Sequence, residues 1–418
     1  MRVYLLVLLI AAAVTYLLTP LAYWIAARTG AITAVRDRDV HTIPTARLGG
    51  LAMTAGLVVA VAFASQMPFL EGVFEIDHRA WAIVGGALIV CLLGVADDIW
   101  DLDWMTKLAG QVLAALFIAW QGVQLTTFPI NGLVIGSSRL SLIVTVLVVV
   151  VAMNAVNFVD GLDGLAAGLI AIGGSAYFVY TYSLTVAASP TDYSNLATLV
   201  MAALVGICLG FLPHNFHPAR IFMGDSGSMV LGLVLASAVI VVTGSIDMGT
   251  ASDPSKQREL IPILLPLAVI LLPLLDMVLA VARRVGTGKS PFHPDRLHLH
   301  HRLLALGHSH RRAVIIMYLW TAVFAFGAVA LVRWPAENVA IGLGVAVVVA
   351  AILTLGPLRT RGRFLDDDAV TAPEGIPTAV PRRAAGASGA SPVVPAPTPG
   401  PPTGPTDPHR AHPEGTSR

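Results

Sequence analysis

The chain contains 418 residues, 56% of them hydrophobic and only 12% charged, and its mean hydropathy is +0.77. These values exclude an ordinary soluble globular protein and predict a chain that lies largely in a membrane. The formal net charge of +1 gives no indication of nucleic-acid binding, and none is expected. Cys91 and Cys208 both lie inside apolar stretches and form no CxxC pair, which disfavours a disulfide or a thiolate metal site.

About eleven apolar stretches are candidates for transmembrane helices, since roughly 20 apolar residues cross a bilayer core. The alternation typical of a β-barrel is absent, so the predicted fold is all-α and polytopic. The stretch at 81–96 is short for a full span, which places the aspartates after it near the interface. The predicted spans lie near 3–26, 48–70, 81–96, 107–124, 139–157, 163–184, 195–212, 228–244, 260–283, 313–332 and 336–356.

The two ends of the chain differ in character. Arg2 before an apolar run resembles a signal peptide, but the run continues through Tyr23 and Trp24 without a clear cleavage site, so we expect a retained helix. From about Asp366 the chain is rich in Pro, Ala, Gly, Ser and Thr, which cannot bury enough apolar surface to offset the entropy of ordering. We therefore predict a membrane domain over 1–365 and a disordered cytoplasmic tail over 366–418.

The placement of Lys and Arg predicts the orientation. With the amino terminus outside and alternating helices, sixteen basic residues fall on the inner side and six on the outer side. The outer residues are Arg2, Arg79, Arg139, Lys256, Arg258 and Arg333, and the inner ones are Arg28, Arg36, Arg38, Arg47, Lys107, Arg220, Arg283, Arg284, Lys289, Arg296, Arg302, Arg311, Arg312, Arg359, Arg361 and Arg363. In this topology the acidic motifs described next all lie on the cytoplasmic face of the membrane.

The first acidic motif is Asp97-Asp98-Ile-Trp-Asp101, followed by Lys107. If the segment is helical, the three aspartates share one face and repel one another unless a cation or Lys107 lies between them. A solvated acidic loop is the simpler alternative. The flanking tryptophans favour a more closely packed arrangement.

The second motif is Asn154-Ala-Val-Asn157-Phe-Val-Asp160-Gly-Leu-Asp163-Gly. Polar residues recur at every third position, so neighbouring pairs share a helical face. The two glycines allow the backbone to break and to fold the aspartates back toward the asparagines. In the alternative, Asp163 merely caps the next helix, but a cap does not explain two asparagines in an apolar segment.

Asp225 lies in a third motif, Gly-Asp225-Ser-Gly-Ser, at the start of a predicted helix. It could cap that helix together with the neighbouring serines, and the same helix start offers free backbone N–H groups to a phosphate. Ionised carboxylates are unfavourable near hydrocarbon. A divalent metal that holds a phosphorylated ligand is the simplest common explanation for all of these aspartates.

The longest inner loop contains the fourth motif, with Arg296, His298, His300 and His301. Zinc is the obvious alternative ligand for the histidines. The loop lacks cysteines, however, and its arginines would repel a cation. Hydrogen-bond donors of this kind suit a pyrophosphate or a dianionic phosphate better.

In this order, DD-x-x-D, N-x-x-N-x-x-DG-x-DG, GDSGS and SPF-x-PDR-x-HLHH resemble the motifs of the polyprenyl-phosphate N-acetylhexosamine-1-phosphate transferases. The similarity runs from about residue 30 to about residue 320 and is strongest to the bacterial branch that uses UDP-N-acetylglucosamine. It implies transfer of N-acetylglucosamine-1-phosphate to undecaprenyl or decaprenyl phosphate, with release of UMP, in a bacterial inner membrane. Another UDP-N-acetylhexosamine is the alternative donor, and a homodimer is compatible with the sequence.

The resemblance also implies roles for individual residues. Asp225 and Asn157 correspond to metal-associated positions, with Mg²⁺ or Mn²⁺ as the cofactor. The implied catalytic residues are Asp97, Asp98, Lys107, Asp160 and Asp163. The implied substrate-binding residues are Asp101, Asn154, Arg296, His298, His300 and His301.

Two other classes of protein remain open at this point. A transporter would place ionisable residues near the bilayer midplane on broken helices, whereas here only Asp276 lies well inside a span. A scaffold that binds a lipid phosphate without turnover is the second rival. Product formation from labelled UDP-N-acetylglucosamine separates both from the enzyme.

Overall fold

A computed structural model describes residues 1–32, 44–75, 78–126, 137–188, 194–245 and 299–355, together with parts of 271–286. These residues form α-helices, one short 3₁₀-helix at Pro68–Leu70 and isolated β-bridges. The helices are α1 (Arg2–Thr29), α2 (Gly49–Ala64), α3 (Glu71–Glu75), α4 (Arg79–Trp100), α5 (Trp104–Trp120), α6 (Ser138–Val159), α7 (Leu165–Ala188), α8 (Leu196–Asn215), α9 (Gly224–Ser245), α10 (Leu299–Ala305), α11 (His310–Arg333) and α12 (Ala336–Leu355).

The all-α polytopic prediction is confirmed. Among the described residues, eight helices are long and apolar enough to cross a membrane, or up to nine if one bent pair counts as a span. That pair is α2 with the segment Pro68–Phe74, bent by 93°, and α5 is a further, shorter apolar helix. Ten of the predicted stretches therefore correspond to these elements, while most of 260–283 and all of the predicted tail lie outside the described residues.

The stretch at 81–96 is longer than the sequence suggests. α4 continues through Asp97 and Asp98 to Trp100, where Asp101 adopts a left-handed conformation with φ 53°. The helical face that the acidic spacing predicts therefore ends before Asp101, which is exposed. The predicted break after α6 is confirmed, because α6 ends at Val159 and Gly164 has φ 76°.

α9 occupies the centre of the bundle. It packs against α4, α6, α2 and α8, and it is the most deeply buried of the described spanning helices. Its first turn is held very closely: a Cβ on Gly94 would lie 2.3 Å from Ser226 Cα, and one on Gly50 would lie 2.2 Å from Gly227 N. Since only glycine fits at both positions, α2 and α4 clamp the start of α9.

The acidic motifs meet at one end of this bundle. α4 and α6 end there, and α5, α7 and α9 begin there, so helices that alternate in direction deliver polar residues to the same face. A short backbone pairing adds another segment: Phe222 N donates to Ala46 O at 2.8 Å, and Gly49 N donates to Phe222 O at 3.0 Å. This pairing places Arg47 beside the start of α9.

Candidate active site

Lys107 links two carboxylates that are far apart in sequence. Its Nζ lies 2.7 Å from Asp97 Oδ2 and 3.0 Å from Asp225 Oδ2. Asp97 is buried and its Oδ1 accepts from Leu102 N at 2.9 Å, which fixes the carboxylate at the end of α4. An ammonium group held between two carboxylates in a partly buried position is well placed to meet a phosphate.

Asp225 receives a second polar group from α6. Asn157 Nδ2 donates to Asp225 Oδ1 and to Ser228 Oγ, both at 2.9 Å. Asp225 and Ser228 are three residues apart on α9 and therefore lie on the same helical face, where both contact Asn157. The two positions that the resemblance associates with a metal, Asp225 and Asn157, are thus in direct contact.

Asp98 caps the start of α9. Its carboxylate accepts from Asp225 N at 3.1 Å, from Ser226 N at 3.3 Å and from Ser226 Oγ at 3.0 Å. Free N–H groups at a helix start are ordinarily capped by a residue of the same helix. Here the cap comes from α4, so Asp98 holds the backbone of the first turn of α9 and thereby sets the position of Asp225.

A second polar layer lies one helical turn deeper. Asn154 Nδ2 donates to Gln111 Oε1 at 2.6 Å and to Val150 O at 2.8 Å, and Gln111 Nε2 contacts Met229 Sδ at 3.5 Å. Gln111 and Met229 each follow a residue of the upper layer by four positions on their helices. Asn154, predicted to bind substrate, therefore joins α5 and α6 beneath the charged cluster.

Asp160 lies in the turn between α6 and α7. It is only partly exposed, and desolvation followed by the negative charge of Asp225 raises the pKa of Asp160 to about 7, while the guanidinium of Arg47 opposes this shift. The structure thus brings Arg47 into the electrostatic environment of the site. From the sequence alone Arg47 is assigned only to the inner side of the membrane, because its proximity to Asp160 depends on the pairing with the segment before α9.

Asp163 is buried in a junction of three segments. Its Oδ2 lies 2.7 Å from His217 Nδ1 and accepts from Ala219 N at 3.0 Å, and its backbone N–H donates to His310 Nε2 at 3.1 Å. Potential ligand atoms of Asp163, His217 and His310 lie within 4.8 Å of one another. The two imidazole rings are stacked at 4.3 Å with 16° between their planes, and the nitrogen that each directs at Asp163 already has a hydrogen-bond partner there, which favours a hydrogen-bonded junction over a metal site.

Four predicted residues cannot be compared in the same way. Arg296 and His298 lie outside the described residues, and for His300 and His301 only the helical backbone of α10 is described. Their predicted role in substrate binding stays a prediction. α10 itself is placed beside the turn that contains Asp163, because Leu303 packs with Leu162 and Leu165 in one small apolar cluster.

The side chains of Asp225 and Asn157 offer ligand atoms that suit a hard divalent cation. A carboxylate and an amide offer oxygen ligands, and Mg²⁺ typically uses one or two carboxylates while keeping water and substrate phosphates in its shell. Asp225 is accessible, with 24% of its side chain exposed at the face of the bundle. Which amide atom of Asn157 faces Asp225 depends on the hydrogen-bond network, and a bound cation would turn the oxygen toward itself.

These features define a multi-pass membrane protein with a cluster of charged residues at one end of its helix bundle. Residues 80–243, which contain most of that site, match glycosyl transferase family 4. The chain belongs to this family, because it is also 43% identical over 358 residues to the decaprenyl-phosphate N-acetylglucosaminephosphotransferase of Mycolicibacterium smegmatis, covering 85% of this chain and 88% of that protein.

Two further relatives extend the comparison. The chain is 43% identical to the decaprenyl-phosphate N-acetylglucosaminephosphotransferase of Mycobacterium tuberculosis, over 85% of this chain and 89% of that protein. It is 33% identical to a protein of Bacillus subtilis described as a probable undecaprenyl-phosphate N-acetylglucosaminyl 1-phosphate transferase, over 75% of this chain and 81% of that protein. The predicted resemblance is thereby confirmed at the level of the family.

Proposed function

We propose that this chain transfers N-acetylglucosamine-1-phosphate from UDP-N-acetylglucosamine to a polyprenyl phosphate. The products are polyprenyl-diphosphate-N-acetylglucosamine and UMP, and the reaction begins a lipid-linked glycan of the cell envelope. The contact of Lys107 with Asp97 and Asp225 supports the proposal, because it joins an ammonium group to a carboxylate that would hold Mg²⁺ at one end of the helix bundle. Decaprenyl phosphate is the favoured acceptor, since relatives named for it are more similar to this chain than the relative named for the undecaprenyl lipid.

The reaction exchanges one phosphoanhydride for another. A lipid phosphate oxygen attacks the phosphorus that bears the sugar, the bond from that phosphorus to the bridging oxygen breaks, and UMP leaves with this oxygen. A phosphate monoester with a second pKa near 6 is mostly dianionic at pH 7, so the nucleophile arrives without needing a general base. The protein's main tasks are therefore to position two anionic substrates and to offset their charge.

The residues of the site divide these tasks. Lys107 supplies a positive charge to a transferring phosphate, and Asp97 keeps its ammonium directed into the site. Asp98 fixes the start of α9, and Asn157 and Asp225 would hold Mg²⁺. When bound, the cation neutralises charge on the pyrophosphate of the donor. Arg47 adds a second basic group, whose charge acts on Asp160.

The proposed location is a bacterial plasma membrane with the site on the cytoplasmic side. The basic residues favour this orientation, and UDP-sugars are cytoplasmic metabolites. A transporter is less well supported, because the described acidic cluster lies at helix ends on one face rather than along a path through the bundle.

The test is donor competition in membranes that contain the overexpressed chain and added decaprenyl phosphate. Labelled UDP-N-acetylglucosamine with Mg²⁺ should give a labelled lipid, and unlabelled UDP-N-acetylglucosamine should reduce the label far more strongly than UDP-N-acetylgalactosamine or UDP-N-acetylmuramoyl-pentapeptide. Stronger competition by either of the other donors would reassign the substrate. Absence of lipid label above that of vector membranes would reject the transferase.

A further inference from the structure

The junction around Asp163 joins the turn that follows α6 to two distant parts of the chain. His310 opens α11, and its Nε2 accepts the backbone N–H of Asp163. His217 lies in the segment between α8 and α9, and it contacts the carboxylate of Asp163 while its ring stacks on His310. Arg311 Nη2 also donates to His217 O at 3.2 Å, so α11 contacts the segment between α8 and α9 through its backbone as well.

The turn itself is held on its other side. Gly164 N donates to Asn215 Oδ1 at 3.0 Å, and the Tyr318 hydroxyl, two turns along α11 from His310, donates to Gly164 O. A separate apolar cluster beneath the turn contains residues of α6, α7, α10 and α11, and it is distinct from the main core. These contacts fix the side chains of Leu162 and Asp163 and the backbone of Asp163 and Gly164.

The position of this turn matters for two reasons. It carries Asp160, whose backbone N–H donates to Asn157 O at 3.3 Å, and Asn157 in turn contacts Asp225, so the turn borders the charged cluster. It also supports α10 through Leu303, and α10 continues directly from the predicted donor-binding loop with Arg296 and His298. The junction therefore links α10 to the turn that adjoins the cluster of Lys107 and Asp225.

We propose that His217 and His310 are positioning residues that hold the 160–164 turn and α10 in register with the Lys107–Asp225 cluster, and that they thereby set the affinity for the nucleotide-sugar donor. They act through Asp163 rather than on the substrate. This inference rests on the proposed transferase function. The hydrogen bond from Asp163 N requires an unprotonated Nε2 on His310, so an acceptor atom at this point is the essential feature.

Substitution of His310 tests the inference in purified full-length protein. His310→Leu removes the acceptor and leaves the Asp163 N–H without it, whereas His310→Gln provides an amide oxygen at a similar reach. We expect His310→Leu to raise the KM for UDP-N-acetylglucosamine about tenfold, which corresponds to one buried hydrogen bond. The KM for the polyprenyl phosphate should stay within about twofold of wild type, and His310→Gln should restore most of the donor KM.

His308→Leu is the matched control, because His308 Nε2 contacts Thr354 O at 2.8 Å near the end of α12 and lies outside the junction. It should leave the donor KM unchanged. Hydrogen–deuterium exchange of peptides over 160–164 gives a readout that does not depend on turnover, and exchange should be faster in His310→Leu than in wild type or His310→Gln.

Each result decides the matter. An unchanged donor KM with unchanged exchange in His310→Leu overturns the inference, and so does an equal rise in the KM of both substrates, which would indicate general distortion. A His310→Gln variant as impaired as His310→Leu would show that the acceptor atom is not what matters. Wild-type protein that releases no UMP would reject the proposed function instead. In that case, unchanged exchange over 160–164 in His310→Leu would still overturn the role of His310 in holding the turn.

Discussion

Asp97→Asn separates a positioning role from base catalysis. Asp97 Oδ2 lies 2.7 Å from Lys107 Nζ, and the substitution replaces a charged acceptor by a neutral one of the same shape. A hydrogen bond to a charged group contributes about 1.5–3 kcal/mol, and each 1.36 kcal/mol is a tenfold change in rate. Lys107 is 28% exposed, so solvent weakens the pair, and we expect the lower part of this range, a loss of about 10- to 50-fold in kcat/KM.

The dependence of this loss on pH is the deciding measurement. If Asp97 removed a proton from the lipid phosphate, the defect should disappear as the pH rises well above the phosphate pKa near 6. If it orients Lys107, the defect should persist at every pH, because the missing interaction is electrostatic. UMP release should be followed from pH 6 to pH 9 in wild type and variant. Rates that converge by about pH 9 would refute the positioning role.

Asp103→Asn provides the matched control for this experiment. Asp103 lies in the short loop between α4 and α5, is exposed, and caps α5 by accepting from Met105 N and Thr106 N. Its hydrogen bonds with Thr106 lower the pKa of Asp103, but asparagine caps helices about as well as aspartate. We expect wild-type activity, and a comparable defect in this variant would mean that the whole loop responds to loss of charge.

Four further outcomes are expected. Asp225→Asn should abolish transfer in membrane-inserted protein, and turnover within about threefold of wild type at saturating Mg²⁺ would remove Asp225 from the metal site. Gly94→Ala should lower the free energy of unfolding by about 1–3 kcal/mol through overpacking, because its Cβ would lie 2.3 Å from the first turn of α9. The loss should appear as a lower midpoint of thermal unfolding in detergent, and an unchanged midpoint would refute that close packing. A cysteine at Asp77 should be labelled from outside intact cells and one at His300 should not, against a low background because native Cys91 and Cys208 are buried; the reverse pattern would invert the topology. Truncation after Arg363 should retain activity in purified membranes, and more than a tenfold loss at normal expression would assign the tail a role in the site.

The helices could be predicted from the sequence because apolar length is a local pattern. Apolar length identified the spans, and motifs at helix ends identified Asp97, Lys107, Asn157 and Asp225, which the structure brings into contact. The bend after α2 was not predicted, although Pro68 begins the second arm and is typical of a helix start.

Long-range contacts set the remaining roles, and these could not be predicted from spacing. Asp98 caps a helix 127 residues away, and Asn154 reaches Gln111 on another helix, so neither interaction has a local signal. Arg47 lies near the site only because its segment pairs with the residues before α9. His217 lies in the loop before α9 and His310 opens α11, and neither sequence indicates that the two residues meet.

The identity of the leaving nucleotide tests the central claim most directly. Purified wild-type protein should be incubated with UDP-N-acetylglucosamine, decaprenyl phosphate and Mg²⁺, and the nucleotide and the lipid should be quantified together. Transfer of the sugar phosphate predicts one UMP for every lipid-linked N-acetylglucosamine and a lipid that carries a diphosphate. Release of UDP with a lipid monophosphate, or release of UMP without any lipid product, would contradict the account.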